Sequence, residues 1–174
     1  GDGDADLFVG GFCDRKPEQY TGASGPVPNV LLINDNGSYR PSGQSSLSLK
    51  ARTSGSVFVD LDNDGDLDLV VTCNSKRSGL RVPNRLYENV QGRFRDVSEG
   101  KAPCVFMGGR SVGVLDFDGD GLLDLFIAED RWTGGRSRLF RNTGELTFQD
   151  VTAEVGLPES LPGLGVITPD LNED

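Results

Sequence analysis

Residues 55–71 read Gly-Ser-Val-Phe-Val-Asp-Leu-Asp-Asn-Asp-Gly-Asp-Leu-Asp-Leu-Val-Val. Two short apolar runs flank a nine-residue segment, Asp60 to Asp68, which holds five aspartates and one glycine. Short runs of β-branched and aromatic residues bounded by Asp and Gly are typical of β-strands joined by a turn. This stretch therefore predicts a β-hairpin whose loop has the pattern D-x-D-x-D-G-x-x-D.

The hairpin pattern recurs along the chain. Residues 111–127 read Ser-Val-Gly-Val-Leu-Asp-Phe-Asp-Gly-Asp-Gly-Leu-Leu-Asp-Leu-Phe-Ile, and residues 165–174 read Gly-Val-Ile-Thr-Pro-Asp-Leu-Asn-Glu-Asp. The first aspartates of the three copies, Asp60, Asp116 and Asp170, lie 56 and 54 residues apart. Residues 3–9, Gly-Asp-Ala-Asp-Leu-Phe-Val, match the second half of the pattern at residues 65–71. A period of this length indicates a repeat architecture.

A second block recurs in the same order. Residues 29–34, 84–89 and 137–142 read Asn-Val-Leu-Leu-Ile-Asn, Asn-Arg-Leu-Tyr-Glu-Asn and Ser-Arg-Leu-Phe-Arg-Asn. Each is followed by a glycine-containing turn and a short strand with an aromatic residue. One such turn, Asn36-Gly37-Ser38, also matches an N-glycosylation acceptor, but Asn-Gly is an ordinary hairpin turn and the turn is the favoured interpretation.

Four short antiparallel strands in each repeat predict an all-β chain built from β-propeller blades, about three per chain. We expect one domain over residues 1–174, with approximate blades at 1–54, 55–110 and 111–164. Strand 165–170 of another copy could complete the first blade. Three blades cannot close a ring with acceptable strand twist. Either the chain is a fragment, or two or more copies complete a ring together.

The loop pattern itself predicts a metal site. Alternate side chains at loop positions 1, 3 and 5 converge, glycine at position 6 permits a sharp bend, and positions 7 and 9 add a carbonyl and a carboxylate. An isolated Asp-Gly turn needs no metal, but crowded carboxylates that recur repel one another without a cation. An all-oxygen donor set favours Ca²⁺. An EF-hand is excluded because position 12 is Val71 or Ile127 and the flanks are strands.

Composition excludes several function classes. The formal net charge is −10, from 27 acidic and 17 basic residues, which disfavours binding to nucleic acid or insertion at anionic membranes. The chain has no histidine, so the common His-dependent catalytic and zinc chemistries are absent. Three scattered cysteines do not form a zinc motif. We expect no enzymatic activity.

At the aspartate loops, at residues 84–89 and at residues 147–157, the chain resembles the FG-GAP/VCBS repeat family. This family includes the integrin α propeller and cartilage-acidic-protein-like extracellular proteins. The resemblance implies a β-propeller with Ca²⁺ in the first hairpin of each blade. The implied ligands are Asp60, Asp62, Asp64, the carbonyl of Asp66 and Asp68, then Asp116, Asp118, Asp120, the carbonyl of Leu122 and Asp124. A split loop would combine Asp170, Asn172 and Asp174 of one copy with Asp4 and Asp6 of another.

The expected function is an extracellular or periplasmic calcium-binding module that engages a protein or matrix ligand. Carbohydrate binding, as a lectin or an accessory to a glycan-active enzyme, is the alternative. Long loops opposite the aspartate loops carry the candidate ligand residues Trp132, Tyr20, Arg77 and Arg131, for which an ordinary exposed loop role is the competing interpretation. Cys73 and Cys104 fall on that same side, and sequence leaves their pairing open.

Overall fold

The computed structural model describes residues 3–11, 13, 27–74, 82–130 and 135–169. These residues form eleven strands. They are β1 (Leu7–Val9), β2 (Val30–Asp35), β3 (Ser38–Pro41), β4 (Thr53–Val59), β5 (Asp68–Cys73), β6 (Arg85–Val90), β7 (Arg93–Asp96), β8 (Gly109–Leu115), β9 (Asp124–Glu129), β10 (Arg138–Asn142) and β11 (Phe148–Asp150). Two short 3₁₀ turns lie at Ser45–Leu47 and Ala102–Cys104.

The strands form three antiparallel sheets in which chain neighbours pair. The first sheet has the order β1-β2-β3, the second β4-β5-β6-β7 and the third β8-β9-β10-β11. The predicted all-β class and the four-stranded blade are therefore confirmed in the second and third sheets. Among the described residues the first sheet has three strands, because β1 is equivalent to β5 and no strand stands in the place of β4.

The first strand of each four-stranded sheet begins two residues earlier than the repeat pattern predicted. β4 starts at Thr53 and β8 at Gly109, and each has a register shift at its start, between Thr53 and Gly55 and between Gly109 and Ser111. An irregular strand start is hard to read from sequence, because a bulge interrupts the alternation of side chains.

The core lies between the sheets and follows the two-residue period of the strands. Leu69 and Val71 of β5 point into the cluster shared with the first sheet, whereas Val70 points into the cluster shared with the third sheet. Tyr87 and Phe140 are fully buried, one in each cluster. Burying each large apolar side chain contributes about 1.5–3 kcal/mol, so stacking of the sheets stabilises each of them.

A side-chain hydrogen bond recurs where the strands β1, β5 and β9 end. The Oδ1 atoms of Asn29 and Asn84 accept the backbone N–H groups of Gly11 and Cys73 at 2.8 and 2.9 Å. In the third sheet the Oγ of Ser137 accepts the N–H of Glu129 at 3.0 Å. The three repeats therefore have an equivalent side-chain hydrogen bond at the ends of these strands. This supports the alignment of the three repeats predicted from the second sequence block.

The hairpin turns agree with the sequence interpretation. Asn36 and Gly37 have φ values of 52° and 87°, and Gln91 and Gly92 have 52° and 82°. Two consecutive positive φ values are typical of a type I′ turn, in which glycine avoids a steric cost. Asn36 and Gly37 therefore form the predicted hairpin turn.

Cys73 and Cys104 are not bonded to each other and carry free thiols. Burial raises the pKa of the Cys73 thiol to about 12 and that of the Cys104 thiol to about 11. In the part of the chain that is described, no helix is long and apolar enough to span a bilayer.

Candidate metal centre

The two intact aspartate loops connect equivalent strands. One joins β4 to β5 and the other joins β8 to β9, so both lie at the same edge of neighbouring sheets. The flanks are strands, which confirms that neither loop is an EF-hand. A hydrogen bond from Asn63 Nδ2 to the carbonyl of Gly121, at 3.3 Å, connects the two loops directly.

Each loop gathers three carboxylates. Carboxylate oxygens of Asp60, Asp62 and Asp64 lie within 4.8 Å of one another. The second loop gathers Asp116, Asp118 and Asp120 in the same way. Asp60 and Asp62 are half-buried, whereas all three aspartates of the second loop are exposed. The predicted convergence of loop positions 1, 3 and 5 is confirmed in both loops.

Backbone N–H groups hold the first aspartate of each loop. Asp60 Oδ2 accepts the N–H of Gly65 at 3.1 Å, and Gly65 has a φ of 91° that suits glycine. Asp116 Oδ1 accepts N–H groups from Gly119 and Asp120, and its Oδ2 accepts the N–H of Gly121 at 3.0 Å. These bonds bend the loop so that the carboxylates face one point.

Asp60 Oδ1 fits a bound cation. The atom is buried, and no hydrogen-bond donor among the described residues reaches it. A buried carboxylate oxygen without a donor is costly, because it has lost water and gained nothing in exchange. A cation in the pocket would satisfy this oxygen. The all-oxygen donor set around it suits Ca²⁺.

The charge balance of the first loop also favours a cation. Burial raises the pKa of Asp62 above its ordinary value, and the neighbouring carboxylates of Asp64, Asp60 and Glu88 raise it further. A hydrogen bond from the backbone N–H of Asp64 opposes this shift. Carboxylates whose charged forms are disfavoured by one another are neutralised by a divalent ion.

The last aspartate of each loop is more deeply buried than the other loop aspartates. Asp68 and Asp124 are completely buried and lie outside the two groups of three carboxylates. Asp68 accepts the N–H groups of Leu61 and Asn89 at 3.2 and 2.9 Å. Burial raises the pKa of Asp68 to about 6, although these hydrogen bonds lower it. The residue ties the loop to the sheet, and its role as a ligand stays a prediction.

Asp124 repeats this arrangement in the third sheet. It accepts the N–H groups of Phe117 and Asn142 at 3.0 and 2.7 Å, and burial raises its pKa. The carbonyl ligands expected at Asp66 and Leu122 also stay predictions. The side chain of Asp66 accepts the N–H of Gln91 at 2.7 Å, so it braces the neighbouring hairpin turn.

Sequence reasoning missed a repeated asparagine that supports the loops. Asn34, Asn89 and Asn142 each donate from Nδ2 to the carbonyl that precedes the last loop aspartate, at 3.1, 2.9 and 3.1 Å. Asn142 Nδ2 also donates to the carbonyl of Leu61 at 2.7 Å, which joins the third sheet to the loop of the second. The signal was present, since Asn closes all three copies of the second sequence block.

The half-loop at the N-terminal end repeats these contacts. Asp6 Oδ1 accepts the N–H of Asn34 and Asp4 Oδ2 accepts that of Asn36, both at 2.8 Å. The same bonds join Asp68 to Asn89 and Asp66 to Gln91. The other predicted members of the split loop and of the ligand face lie outside the described residues. They are Asp170, Asn172, Asp174, Trp132, Tyr20, Arg77 and Arg131.

Three stacked antiparallel sheets with repeated aspartate hairpins define a β-propeller-type repeat protein. The FG-GAP-like repeat family model matches residues 1–71 and 116–174, which is well over half of the chain. The chain belongs to the FG-GAP-like repeat family. No curated protein matches the chain. Fold and family together indicate a β-propeller-type interaction module with acidic clusters that could hold a metal ion.

Proposed function

We propose that this chain is a non-catalytic calcium-binding module whose ions stiffen the blade hairpins. The observation that carries the proposal is the buried Asp60 Oδ1, which lacks a donor within a cluster of three carboxylates. A cation there would be held by Asp60, Asp62 and Asp64, and in the second loop by Asp116, Asp118 and Asp120. Its charge would offset the burial and the carboxylate repulsion that together raise the pKa of Asp62.

A non-catalytic role is consistent with how the loop carboxylates are used. Both oxygens of Asp68, Asp116 and Asp124 accept backbone N–H groups of their own loop or of the adjacent hairpin. A carboxylate held in this way is poorly placed to act as a general base or nucleophile, which needs a free oxygen beside the substrate. We therefore assign these residues to structure and metal binding.

The metal indicates a location for the module, and its fold and net charge indicate a class of partner. Weak oxygen-ligand calcium sites are filled where Ca²⁺ is millimolar, so we place the module outside the cytoplasm. We propose a protein or matrix ligand as its partner, because repeat folds present extended rigid surfaces and the net charge of −10 disfavours nucleic acid.

The proposal is tested by calorimetric titration of the chain with CaCl₂. We expect two binding events, and we expect Asp64→Asn to weaken the first and Asp120→Asn the second by about 100-fold, since affinity follows ligand charge. Asp35→Asn is the matched control, because Asp35 is also an exposed aspartate, at the end of β2, but lies outside both clusters. Absence of binding heat in the unaltered chain would refute the proposal.

Thermal unfolding provides a second readout. At a calcium concentration 100 times the Kd, each bound ion stabilises the native state by about 2.7 kcal/mol, which corresponds to a rise in Tm of roughly 5–10 °C for each site. EDTA should remove this rise in the unaltered chain and in Asp35→Asn. The same Tm with CaCl₂ and with EDTA would contradict a stabilising role for the ion.

A further inference from the structure

Two side-chain amides join the backbones of the two aspartate loops. Asn142 is completely buried, and its Nδ2 donates to the carbonyl of Leu61 at 2.7 Å and to that of Leu123 at 3.1 Å. Asn63 Nδ2 donates to the carbonyl of Gly121 at 3.3 Å. The first loop therefore contacts the second directly, and both loops contact the same buried asparagine.

The carbonyls that accept these bonds lie among the candidate metal ligands. Leu61 stands between Asp60 and Asp62, and Gly121 follows Asp120 directly. Because each peptide group is planar, a carbonyl moves together with the residues on either side of it. A rearrangement of the carboxylates in one loop therefore changes the geometry of the bonds that lead to the other loop.

Burial makes the connection through Asn142 difficult to break. Leu61 is 1% exposed and belongs to the core cluster between the second and third sheets. The backbone N–H of Asn142 also donates to Asp124 Oδ1 at 2.7 Å, so this residue holds the end of the second loop as well. A buried carbonyl that loses its donor has no water to replace it. The two loops are thus held in mutually compatible geometries.

The loops themselves are the parts that an ion would order. The carboxylates of Asp116, Asp118 and Asp120 are exposed, and they converge although like charges repel. An ion that binds one loop must fix its backbone, which costs conformational entropy. If contacts shared with the second loop are fixed in the same step, a second ion has less ordering left to impose.

We propose that the two loops bind calcium as a coupled pair, in which an ion in one loop raises the affinity of the other through Asn63 and Asn142. The inference rests on the proposed function and adds a regulation of the same two sites. Both asparagines are positioning residues, which hold the loops together without contacting the ion. Coupling between binding sites is reciprocal, and we expect a factor of about five in each direction.

Hydrogen exchange measured by NMR tests whether ordering passes between the loops. Asp120→Asn keeps the second loop mostly empty at a calcium concentration about ten times the Kd of the first loop, since affinity follows ligand charge. Compared with EDTA, calcium should slow exchange at the amides of Gly119 and Gly121 by about fivefold. The amide of Gly37, in a hairpin turn of the first sheet, is the internal control and should not change.

Removing the Asn63 side chain should cut the connection. Asn63 is exposed and has a φ of 59°, so Asn63→Gly suits the backbone and removes the amide. Added to Asp120→Asn, it should reduce the slowing to about twofold. Asn36→Gly is the matched control, because Asn36 is exposed with a φ of 52° and donates to Asp35, outside both loops. Asn142→Ala should act like Asn63→Gly, provided that circular dichroism shows it to be folded.

Calorimetric titration with CaCl₂ tests reciprocity. In high salt, which screens direct charge effects, Asp120→Asn should weaken the first loop by about fivefold and Asp64→Asn should weaken the second by the same factor. Both indirect effects should shrink when Asn63→Gly is added. A purely structural role for Asn63 would shift the Kd values of the loops but leave the ratio between the coupled and uncoupled affinities unchanged.

The outcomes separate this inference from the proposed function. Absence of binding heat in the unaltered chain refutes the proposed function and the coupling together. Calcium binding to the first loop without any change in exchange at the second loop overturns the coupling alone. Coupling of the same size in Asn63→Gly as in Asn36→Gly also overturns the inference, because the contact with Gly121 would then carry none of it.

Discussion

The second and third sheets share one plan but differ in the residue that faces each aspartate loop. Glu88 and Arg141 occupy the equivalent position, directly before Asn89 and Asn142. Arg141 Nε lies 2.8 Å from Asp118 Oδ2, and its guanidinium lies over the Phe117 ring at 5.1 Å. Glu88 instead adds to the charges that raise the pKa of Asp62. The second loop therefore has a cationic side chain beside its carboxylates, whereas the first loop has an additional carboxylate.

The same two sheets differ at the end of their second strand, where Cys73 and Glu129 are equivalent and both are buried. Glu129 uses its carboxylate to accept the N–H groups of Gly108 and Arg136 at 3.1 and 3.0 Å. Cys73 makes the second sheet apolar at this point and joins the cluster shared with the first sheet. The two sheets therefore share one backbone fold although the buried position holds an apolar thiol in one and a carboxylate in the other. The carboxylate is accommodated because two backbone N–H groups donate to it.

The largest expected effect concerns the buried thiol. At pH 8.5 a free cysteine is about half ionised, whereas a Cys73 pKa of about 12 leaves on the order of one thousandth of that thiolate. Alkylation of Cys73 in the native chain should therefore be about a thousandfold slower than in 8 M urea, as mass spectrometry of the labelled peptides would measure. Rapid native labelling of Cys73 would contradict its burial.

The raised pKa of the Cys73 thiol also predicts how the free energy of unfolding changes with pH. The unfolded Cys73 ionises near its ordinary pKa while the folded thiol stays neutral up to about pH 12. The free energy of unfolding should fall as pH rises from about 9 toward 12, since the unfolded state binds fewer protons there. Cys73→Ala is the control and should have a smaller slope. If denaturing alkylation without reductant leaves fewer than three thiols labelled, a disulfide is present and the prediction is wrong.

A smaller effect is expected at the equivalent asparagines. Asn142 is completely buried and bridges the two sheets through Leu61, whereas Asn89 is half-buried and contacts its own sheet. Asn142→Ala leaves buried carbonyls without a donor and should cost about 2 kcal/mol, against about 1 kcal/mol for Asn89→Ala. Urea unfolding measures both free energies. Equal costs would mean that the bridge to Leu61 contributes nothing.

The smallest expected effect concerns the opposite charges of Glu88 and Arg141, which face the two aspartate loops. Arg141→Glu should raise calcium affinity of the second loop by about threefold, and Glu88→Arg should lower that of the first by a similar factor, because partly exposed ion pairs contribute at most about 1 kcal/mol. Calorimetry in low salt resolves these changes. Exposed Glu154→Arg, remote from both loops in sequence, is a control with the same charge change as Glu88→Arg. Unchanged affinities in both variants would show that the facing residue does not set site strength.

Much of the fold follows from local pattern. The loop spacing, the strand flanks that exclude an EF-hand and the Asn36-Gly37 turn all depend on neighbouring residues, and all three are confirmed. The early starts of β4 and β8 were missed, because a bulge breaks the two-residue alternation on which strand prediction depends.

The candidate site was predicted in part. Loop positions 1, 3 and 5 converge as expected, since alternate side chains in a tight turn point to one side. The setting of Asp68 was not foreseen, because its two hydrogen-bond donors, Leu61 and Asn89, are separated from each other by 28 residues of chain. Nor did sequence indicate that Arg141 would pair with Asp118, a contact that depends on how β10 lies against the loop.

The sequence by itself determined the repeat, the hairpin chemistry and the accumulation of carboxylates, because these depend on residue type and short spacing. Tertiary structure decided which of those oxygens are already satisfied and which, like Asp60 Oδ1, are buried without a donor. It also decided which apolar strand faces are covered by a neighbouring sheet. The physical reason is that burial and hydrogen-bond pairing depend on strands brought together from distant parts of the chain, which no local pattern specifies.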